Sequence, residues 1–515
     1  MTLRERLRRR PPGYNFTIGR ILAIYAGLMV TLMLAALDQT IVATALPRIV
    51  GDLGGITQYS WVFTAYMLTS TVTVPLYGKL GDVWGRKNLF LFAIVVFLIG
   101  SALCGLAHSM TQLVLFRAVQ GIGAGGLFPL SLAVIGNIVP PRDRGKWQGL
   151  IGAVFAASSI IGPAVGGFIV DNASWRWIFF VNLPVGGLAL IVISITMPRR
   201  APLTDHTIDW LGAGLLAAGT GALLLGLVWG GQQYAWTSRH VIGALTVSAV
   251  LLTAFALVER RAREPILPFE ILRNPIVAGS VACMALVGMV MFGTISYVPL
   301  FVQGVIGTSA ASSGVVLTPL TLGAVITSLL TGQLISRTGH YRWNVILGPV
   351  VLTIGMLLLW RMGTSTTNGE AARNMVIAGI GIGSMMQVFV ISVQNAVPRS
   401  QIGSATALTQ FGRQMGATLG VTIMGVIVNH GLPPGVGDGE LTSVHRLPEQ
   451  ARATLADAIR PAFFTAACVS TIVWLIAVRY VHEQRLRRSL DEVSAADAAA
   501  GAPATAGIDS EVTYD

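Results

Sequence analysis

Charged side chains are scarce in this sequence. Of its 515 residues, 11% are Asp, Glu, Lys or Arg and 53% are hydrophobic, whereas a soluble protein carries roughly 25% charged residues. The shortage extends along nearly the whole chain, so it does not come from one embedded segment. This composition excludes an ordinary soluble protein and indicates a polytopic membrane protein.

Cysteine is also rare, with three residues in the chain. Cys104, Cys283 and Cys468 fall in separate apolar stretches. Disulfide frameworks and metal sites use clustered or regularly spaced thiols, so we expect neither here. The N-terminal segment MTLRERLRRR lacks the apolar core and cleavage site of a secretory signal. We therefore expect the first apolar stretch to act as an uncleaved signal.

Sequence signatures of several enzymes and nucleotide-driven pumps are missing. The chain has no Gly-rich phosphate loop followed by Lys-Ser/Thr, no His-Glu-x-x-His and no Gly-x-Ser-x-Gly. We therefore expect a protein that is not an enzyme and needs no cofactor. The net charge of +12 resides mainly in short loops between apolar stretches. Such a pattern is typical of topology signals, so we expect no nucleic-acid partner.

Long apolar stretches account for most of the chain. A membrane-spanning helix needs about 20 mostly apolar residues, and this criterion predicts an all-α membrane protein with fourteen transmembrane helices. Some connections are only a few residues long, which favours antiparallel neighbours. The predicted spans are 21–46, 58–78, 89–107, 112–136, 147–170, 175–197, 208–230, 239–258, 275–298, 311–335, 343–361, 373–394, 402–429 and 460–481.

Basic residues are distributed unevenly among the loops. With the N-terminus in the cytoplasm, 25 of the 35 Lys and Arg residues lie in cytoplasmic segments, 8 lie outside and 2 lie within spans. Cytoplasmic loops of membrane proteins carry such an excess. We therefore predict that both termini are cytoplasmic, with a basic tail over 1–20 and a mostly disordered tail over 482–515. The external segment 430–459 is predicted to be a surface loop, with a possible short helix from Pro448.

Two loops share a sequence pattern. GKLGDVWGRKNL follows the second span and GQLISRTGHYRWNVI follows the tenth, and each places Arg and Gly in a short turn. The repeat predicts two pseudo-symmetric six-helix bundles, 21–197 and 275–481, separated by two linker helices within 208–258. Many secondary transporters have pseudo-symmetric halves and handle their substrate near the membrane midplane between them.

An acidic residue interrupts the first span. Asp38 lies about 17 residues from the inner end of this span, or roughly 25 Å. Arg117 lies at a matching depth, about 5 residues from the outer end of the fourth span. Ionisable residues at such depths are costly and are almost always paired. We therefore predict a buried pair of Asp38 and Arg117, which either exchanges a proton or holds the helices together as a static pair.

Several motifs occur in order along the first half. GKLGDVWGRK follows the second span, LFRAVQGIGAGG lies in the fourth and GPAVGGF in the fifth, together with LDQTIVATALP and WRWIFFVNLPVG. On these motifs, residues 20–481 resemble the major facilitator superfamily, in particular its fourteen-helix drug:proton antiporter family of the multidrug efflux type. The resemblance implies proton-coupled drug export in a bacterial cytoplasmic membrane.

The loop motif resembles a conformational latch of that superfamily. The resemblance implies that Asp82 and Arg86 bridge helix ends in one conformation and separate in another. The alternative is that these charges only cap helices and set topology. Two departures occur: Ser336 replaces the acid in the second copy, and Ala43-Thr44 replaces the family's Asn-Val. The residues of the latch motif are Gly78, Gly81, Asp82, Gly85, Arg86 and Lys87.

The fifth span contains three glycines and a proline close together. Gly162 and Gly166 lie four residues apart on one helix face, with Pro163 between them and Gly167 following. Small residues permit close helix packing and proline permits bending. One interpretation is packing alone. The resemblance adds that this motif, which marks antiporters, forms a bending interface that sets the exchange mode and blocks leak.

Arg413 lies about 11 residues into the thirteenth span. Three roles stay open for it: facing Asp38 across a cavity, binding an anionic group, or hydrogen-bonding carbonyl groups. Other polar or aromatic residues within spans are candidates, with Arg413, for lining a substrate cavity. They are Gln39, Tyr66, Gln120, Asn182, Tyr297, Gln303, Gln387, Gln394, Asn395 and Gln410.

These observations predict a proton-coupled antiporter that exports lipophilic or amphipathic compounds by alternating access. Its expected partners are small lipophilic substrates, protons and membrane lipids, and we expect a monomer. A single deep acid, Asp38, disfavours a site for divalent cations. Two alternatives stay open: export of a lipid or endogenous metabolite by the same fold, and a membrane sensor without transport.

Overall fold

The computed structural model describes residues 18–53, 61–139, 141–198, 209–230, 234–262, 265–267, 269–306, 310–398, 401–431 and 449–483. The predicted disordered C-terminal tail from 484, nearly all of the predicted basic N-terminal tail and the loop 432–448 lie outside the described residues. Within the described ranges the chain is helical, apart from turns and one isolated bridge between Gly230 and Tyr234.

Long helices dominate because a backbone in lipid must satisfy its own hydrogen bonds. A short π-helical segment, Val302–Ile306, extends one of them. In chain order the helices are α1 (Ile18–Leu53), α2 (Trp61–Val83), α3 (Arg86–Gly105), α4 (Met110–Ile138), α5 (Pro141–Asn172), α6 (Trp177–Phe180), α7 (Asn182–Thr196), α8 (Trp210–Trp229), α9 (Arg239–Glu259), α10 (Phe269–Arg273), α11 (Pro275–Phe301), α12 (Ala310–Thr338), α13 (Arg342–Trp360), α14 (Asn368–Ala396), α15 (Ile402–Gly431) and α16 (Glu449–Tyr480).

The predicted spans all coincide with helices, the sixth being divided between α6 and α7. In the described part of the chain, however, twelve stretches are long and apolar enough to cross a membrane, not the fourteen predicted. Helices α2 and α5 are not among the twelve. Three threonines, Thr69, Thr71 and Thr73, make α2 less apolar. The hydroxyls of Thr69 and Thr71 donate hydrogen bonds to α4 and α15, and that of Thr73 donates to a carbonyl of α2 itself.

Helix ends differ from the predicted span ends. Helix α1 continues to Leu53, beyond the predicted end at 46. Helix α16 begins at Glu449, so the predicted short helix from Pro448 is the first part of α16. Hydropathy reports the length of chain suited to lipid, whereas a helix continues as long as its backbone hydrogen bonds do.

The helices pack in two groups. In the first, α1 packs on α5 and α7, and α4 packs on α2 and α3. In the second, α11 packs on α15 and α16, and α14 packs on α12 and α13. The groups meet where α5 contacts α12 and where α2 contacts α15.

The two loops with a shared sequence pattern also share a backbone feature. Gly85, between α2 and α3, has φ 86°, and Gly339, between α12 and α13, has φ 78°. Residues that have a Cβ atom rarely adopt backbone angles in this left-handed region. The repeated glycine therefore serves the same sharp turn in both groups.

Helices α8 and α9, which we call the linker pair, pack against each other, with Ser248 Oγ donating to the Gly219 carbonyl at 2.8 Å. Helix α8 also contacts both α2 and α15. An apolar cluster around Ala213 and Leu216 of α8 includes Leu408 of α15 and has Leu76 of α2 packed against it. The linker pair thus touches both groups.

Candidate functional site

The carboxylate of Asp38 lies at a junction of three helices. It is 1% exposed. Its Oδ2 accepts a hydrogen bond from Arg117 Nη1 of α4 at 2.6 Å. Its Oδ1 accepts from Gln120 Nε2 of α4 at 2.8 Å and from Asn182 Nδ2 of α7 at 3.1 Å. The buried acid therefore has one cationic and two amide donors, as a charge removed from water requires.

Arg117 has partners besides the acid. Its Nη1 also donates to Gln120 Oε1 at 2.7 Å, and its Nε donates to the Val62 carbonyl of α2 at 3.2 Å. The guanidinium carbon lies 4.2 Å from the ring centroid of Tyr66, also on α2. A cation over an aromatic face is attracted by the ring quadrupole. These neutral contacts can hold Arg117 in place when Asp38 carries no charge.

A second layer surrounds this junction and was not anticipated from the sequence. Ser101 Oγ of α3 accepts from Asn182 Nδ2 at 2.9 Å and donates to the Phe179 carbonyl at 2.9 Å. Cys104 Sγ lies 3.7 Å from Gln120 Oε1. A serine or cysteine in an apolar helix usually satisfies its own backbone, so the sequence carried no signal for these contacts.

The glycine motif of α5 packs against Thr40, which follows Asp38 by two residues on α1. Thr40 Oγ1 donates to the Ser158 carbonyl of α5 at 3.2 Å. One turn further along α5, a Cβ on Gly162 would overlap Thr40 Oγ1, whereas a Cβ on Gly167 would have nothing within 4 Å. The close approach of α1 to α5 therefore depends on Gly162.

Gly162→Ala is expected to impair both stability and transport, since a new methyl group must displace Thr40. Overpacking of this kind costs about 1–3 kcal/mol. The unfolding temperature in detergent and the transport rate per folded protein should both fall. Gly167→Ala, in the same motif, should leave both unchanged. Equal behaviour of the two variants would argue against this role of Gly162.

The Asp82 motif connects the two groups. Asp82 Oδ1 accepts from Arg86 Nη2 at 2.7 Å, and Arg86 Nη1 donates to the Ala133 carbonyl of α4 at 2.7 Å. Asp82 Oδ2 accepts from the backbone N–H of Ser404 at 2.8 Å and from its hydroxyl at 3.0 Å. Ser404 lies in the first turn of α15. The acid thus caps a helix N-terminus in the other group, where a negative charge is favoured.

The other motif residues have local roles. A Cβ on Gly78 would overlap that of Ala407, so this glycine lets α2 approach α15. Gly81 faces Leu130 of α4. Lys87 Nζ donates at 2.6 Å to the Ser194 carbonyl in the last turn of α7, where a cation is favoured.

Amide side chains form a second connection between the groups. Gln148 Nε2 of α5 donates to Gln394 Oε1 of α14 at 3.1 Å, and Gln387 Nε2 donates to the Gln148 carbonyl at 3.1 Å. Gln394 Nε2 reaches Thr406 Oγ1 of α15 at 3.0 Å. Thr71 Oγ1 of α2 also donates across the groups, to Gln414 Oε1 of α15 at 2.6 Å. The cavity candidates Gln387 and Gln394 therefore lie in the contact between groups and not beside Asp38.

The remaining candidates are dispersed. Gln39 is exposed. Tyr297 OH lies 3.5 Å from the Val421 carbonyl. Arg413 Nε donates to Gln410 Oε1 at 3.0 Å. Its guanidinium carbon lies 5.5 Å from the ring centroid of Phe128, on α4 of the first group.

Other positions singled out in the sequence carry less structural information. Ser336, which replaces the acid in the second loop, is buried at the end of α12. Gly166 is buried in α5. The side chains of Ala43, Thr44, Pro163 and Gln303 lie outside the described residues.

Comparison with known proteins extends these observations. The sequence profile described as Major Facilitator Superfamily matches residues 28–421. The multidrug transporter protein MdtP of Bacillus subtilis is 38% identical over 410 residues, covering 79% of this chain and 75% of its own. Multidrug resistance protein 3 of the same organism is 39% identical over 404 residues, covering 78% and 79%.

Solved structures agree in fold. The proton:xylose symporter XylE superposes with a TM-score of 0.65 at 14% identity, covering 93% of this chain and 100% of that structure. The human organic anion transporter MFSD10 gives 0.63 at 14% identity, covering 91% and 100%. The profile match spans well over half of the chain, and both Bacillus relatives exceed 30% identity over more than two thirds of it. The chain therefore belongs to the major facilitator superfamily of membrane transporters.

Proposed function

We propose that this transporter is a proton-coupled antiporter that exports lipophilic or amphipathic compounds. The observation that carries the proposal is the buried carboxylate of Asp38, with donors from Arg117, Gln120 and Asn182. An acid inside a membrane bundle is costly, and such residues mark ion pathways and proton relays. Within the described residues Asp38 and Arg117 form the one fully buried acid–base pair.

The contacts of Arg117 suggest how the acid can change its charge. A proton on Asp38 removes the attraction at Arg117 Nη1. The guanidinium keeps Gln120 Oε1, the Val62 carbonyl and the Tyr66 ring as partners. The neutral acid can then be stabilised without displacement of the cation, and the cation draws the proton off again when water reaches the site from the other side.

Alternating access requires the two groups to separate on one side at a time. The bonds of Asp82 to Ser404 and of Gln148 to Gln394 close the groups on the side of the molecule where Asp82 lies. We propose that this is the cytoplasmic side and that these bonds break when the protein opens inward. The close contact of Gly162 with Thr40 couples α5 to the turn of Asp38 during that movement.

The substrate class follows from the sparse charge of the site and from the relatives. Beside Asp38, Gln39 is exposed and offers an uncharged amide, whereas Tyr66 is buried against the Arg117 guanidinium. An uncharged polar group beside a single buried acid suits neutral or monovalent lipophilic compounds. Two Bacillus relatives carry multidrug transport or resistance in their names, which supports multidrug efflux.

The finer architecture belongs to the same proposal. We place α2 and α5 in the membrane beside the twelve more apolar candidates, which gives fourteen spans with both termini in the cytoplasm. The bundles are 21–197 and 275–481, joined by the linker helices within 208–258. The protein acts as a monomer in the cytoplasmic membrane.

Purified protein in liposomes tests the proposal. A pH gradient is imposed without ATP, a pH dye is enclosed, and lipophilic cations, neutral drugs and lipids are added in turn. Antiport predicts that one compound class triggers proton movement across the membrane. Proton movement with lipids alone would favour a lipid exporter. Binding of a compound with no counterflow under any gradient would overturn the transport mechanism and favour a sensor.

A further inference from the structure

A basic cleft lies beside the linker pair, apart from the Asp38 site. It has a volume of about 710 Å³ and is lined by Ala256, Arg260, Leu272 and Arg273. Ala256 lies in the last turn of α9, and Arg260 follows it. Leu272 and Arg273 belong to the short helix α10, which leads into α11. The cleft therefore lies between the linker pair and the second group.

Within the described residues, neither arginine of the cleft forms an ion pair. Arg260 and Arg273 are exposed, and in the described ranges their guanidinium groups have no carboxylate or carbonyl partner. The adjacent acid, Glu259, is 3% exposed and instead accepts from the Leu267 N–H at 2.5 Å. Among the residues that the structure describes, the two positive charges thus face the cleft without an ion-pair partner.

The position of the cleft matches the membrane boundary. Helix α9 is apolar enough to cross the membrane and ends at Glu259, and α11 enters its own apolar stretch at Pro275. Only 17% of the most apolar window of α9 is buried in the protein. Val250 and Leu257 on α9 are 62% and 59% exposed. The exposed apolar face of α9 therefore ends at the basic cleft. The acyl chains of a phospholipid end in the same way at its charged head group.

We propose that this cleft binds an anionic phospholipid. Arg260 and Arg273 hold the phosphate, since a guanidinium matches phosphate oxygens with paired N–H donors. Ala256 and Leu272 contact the glycerol and the first methylenes, and the acyl chains follow α9. Basic pockets between transmembrane helices recognise lipid head groups in this way. The bound lipid fastens α9 to α10, and this assignment depends on membrane insertion and not on proton antiport.

Lipid binding to the full-length, delipidated protein tests the proposal. Phosphatidylglycerol and phosphatidylcholine are titrated in detergent micelles, and bound lipid is counted by native mass spectrometry. Arg260→Ala/Arg273→Ala should weaken phosphatidylglycerol binding about 30-fold, the combined effect of two basic residues near a membrane surface. The control Arg239→Ala/Arg342→Ala removes two exposed arginines outside the cleft and should bind like wild type.

Three outcomes would overturn the assignment. The first is equal affinity of the cleft variant and the control for phosphatidylglycerol. The second is equal affinity of the wild type for glycerol phosphate and for the lipid, because the cleft would then be a site for soluble phosphate. The third concerns the acidic C-terminal segment. If phosphatidylglycerol binds only after neutralisation of Asp491, Glu492 and Asp497 in the full chain, that segment occupies the cleft.

Discussion

Asp38→Asn is expected to abolish uphill export while the helices remain assembled. Asparagine has the size of aspartate but cannot take up and release a proton. The substitution also leaves the Arg117 guanidinium buried without its counter-charge, and breaking a buried pair in this way costs about 3–5 kcal/mol. The contacts of Arg117 with Gln120, Val62 and Tyr66 remain, so the loss of stability should lie at the lower end of that range.

Transport and unfolding measured on the same preparations separate these two effects. Arg117→Gln, added to Asp38→Asn, removes both charges and should restore most of the lost stability without restoring uphill export. Asp457→Asn is the matched control because this acid is 74% exposed; it should change neither quantity. Uphill export that survives in Asp38→Asn would refute the assignment of the coupling acid. Loss of stability without loss of export would leave the pair a static one.

Asp82→Ala is expected to open the side of the protein that Asp82 closes. The substitution removes both bonds to Ser404 of α15 and the ion pair with Arg86. A hydrogen bond to a charged group contributes about 1.5–3 kcal/mol. Loss of one such contribution shifts the ratio of closed to open protein about 10- to 150-fold. Ser404→Ala removes the hydroxyl but keeps the backbone N–H, so its effect should be smaller.

Distances between spin labels at Trp84 and His340 report this change. Both residues are exposed, and they flank the equivalent turns of the two groups. Cys468 is exposed and is replaced first, whereas Cys104 and Cys283 are buried. The distance distribution of Asp82→Ala should gain a longer component that Asp457→Asn lacks. Identical distributions for the wild type and both variants would leave Asp82 a helix cap without a role in opening.

Side-chain depth was predictable from the sequence wherever helix length alone determined it. Asp38 and Arg117 lie at matching depths in two spans of predicted direction, and the structure brings them together at 2.6 Å. Gln120 and Asn182 were predicted only as members of a longer set of polar residues. Both prove to contact Asp38, because depth does not specify which way a side chain points around its helix.

The contacts between the two helix groups could not be predicted from the sequence. Ser404 is one hydroxyl residue among several near the start of α15, and Gln148 was not among the cavity candidates. Their partners, Asp82 and Gln394, are separated from them by 322 and 246 residues. Such pairs depend on how two rigid groups are placed relative to each other, which no local pattern records.

The linker pair has a further consequence for the cost of opening. Leu76 of α2 and Leu408 of α15 both pack with α8, so separating α2 from α15 must also detach α8 from one of them. In water this separation would expose apolar surface at a large cost. Within a bilayer, lipid tails are as apolar as leucine and replace the lost contacts. The apolar seam therefore resists separation only weakly in the membrane and strongly in water. We expect the polar bonds between the groups, those of Asp82 among them, to set the barrier to opening.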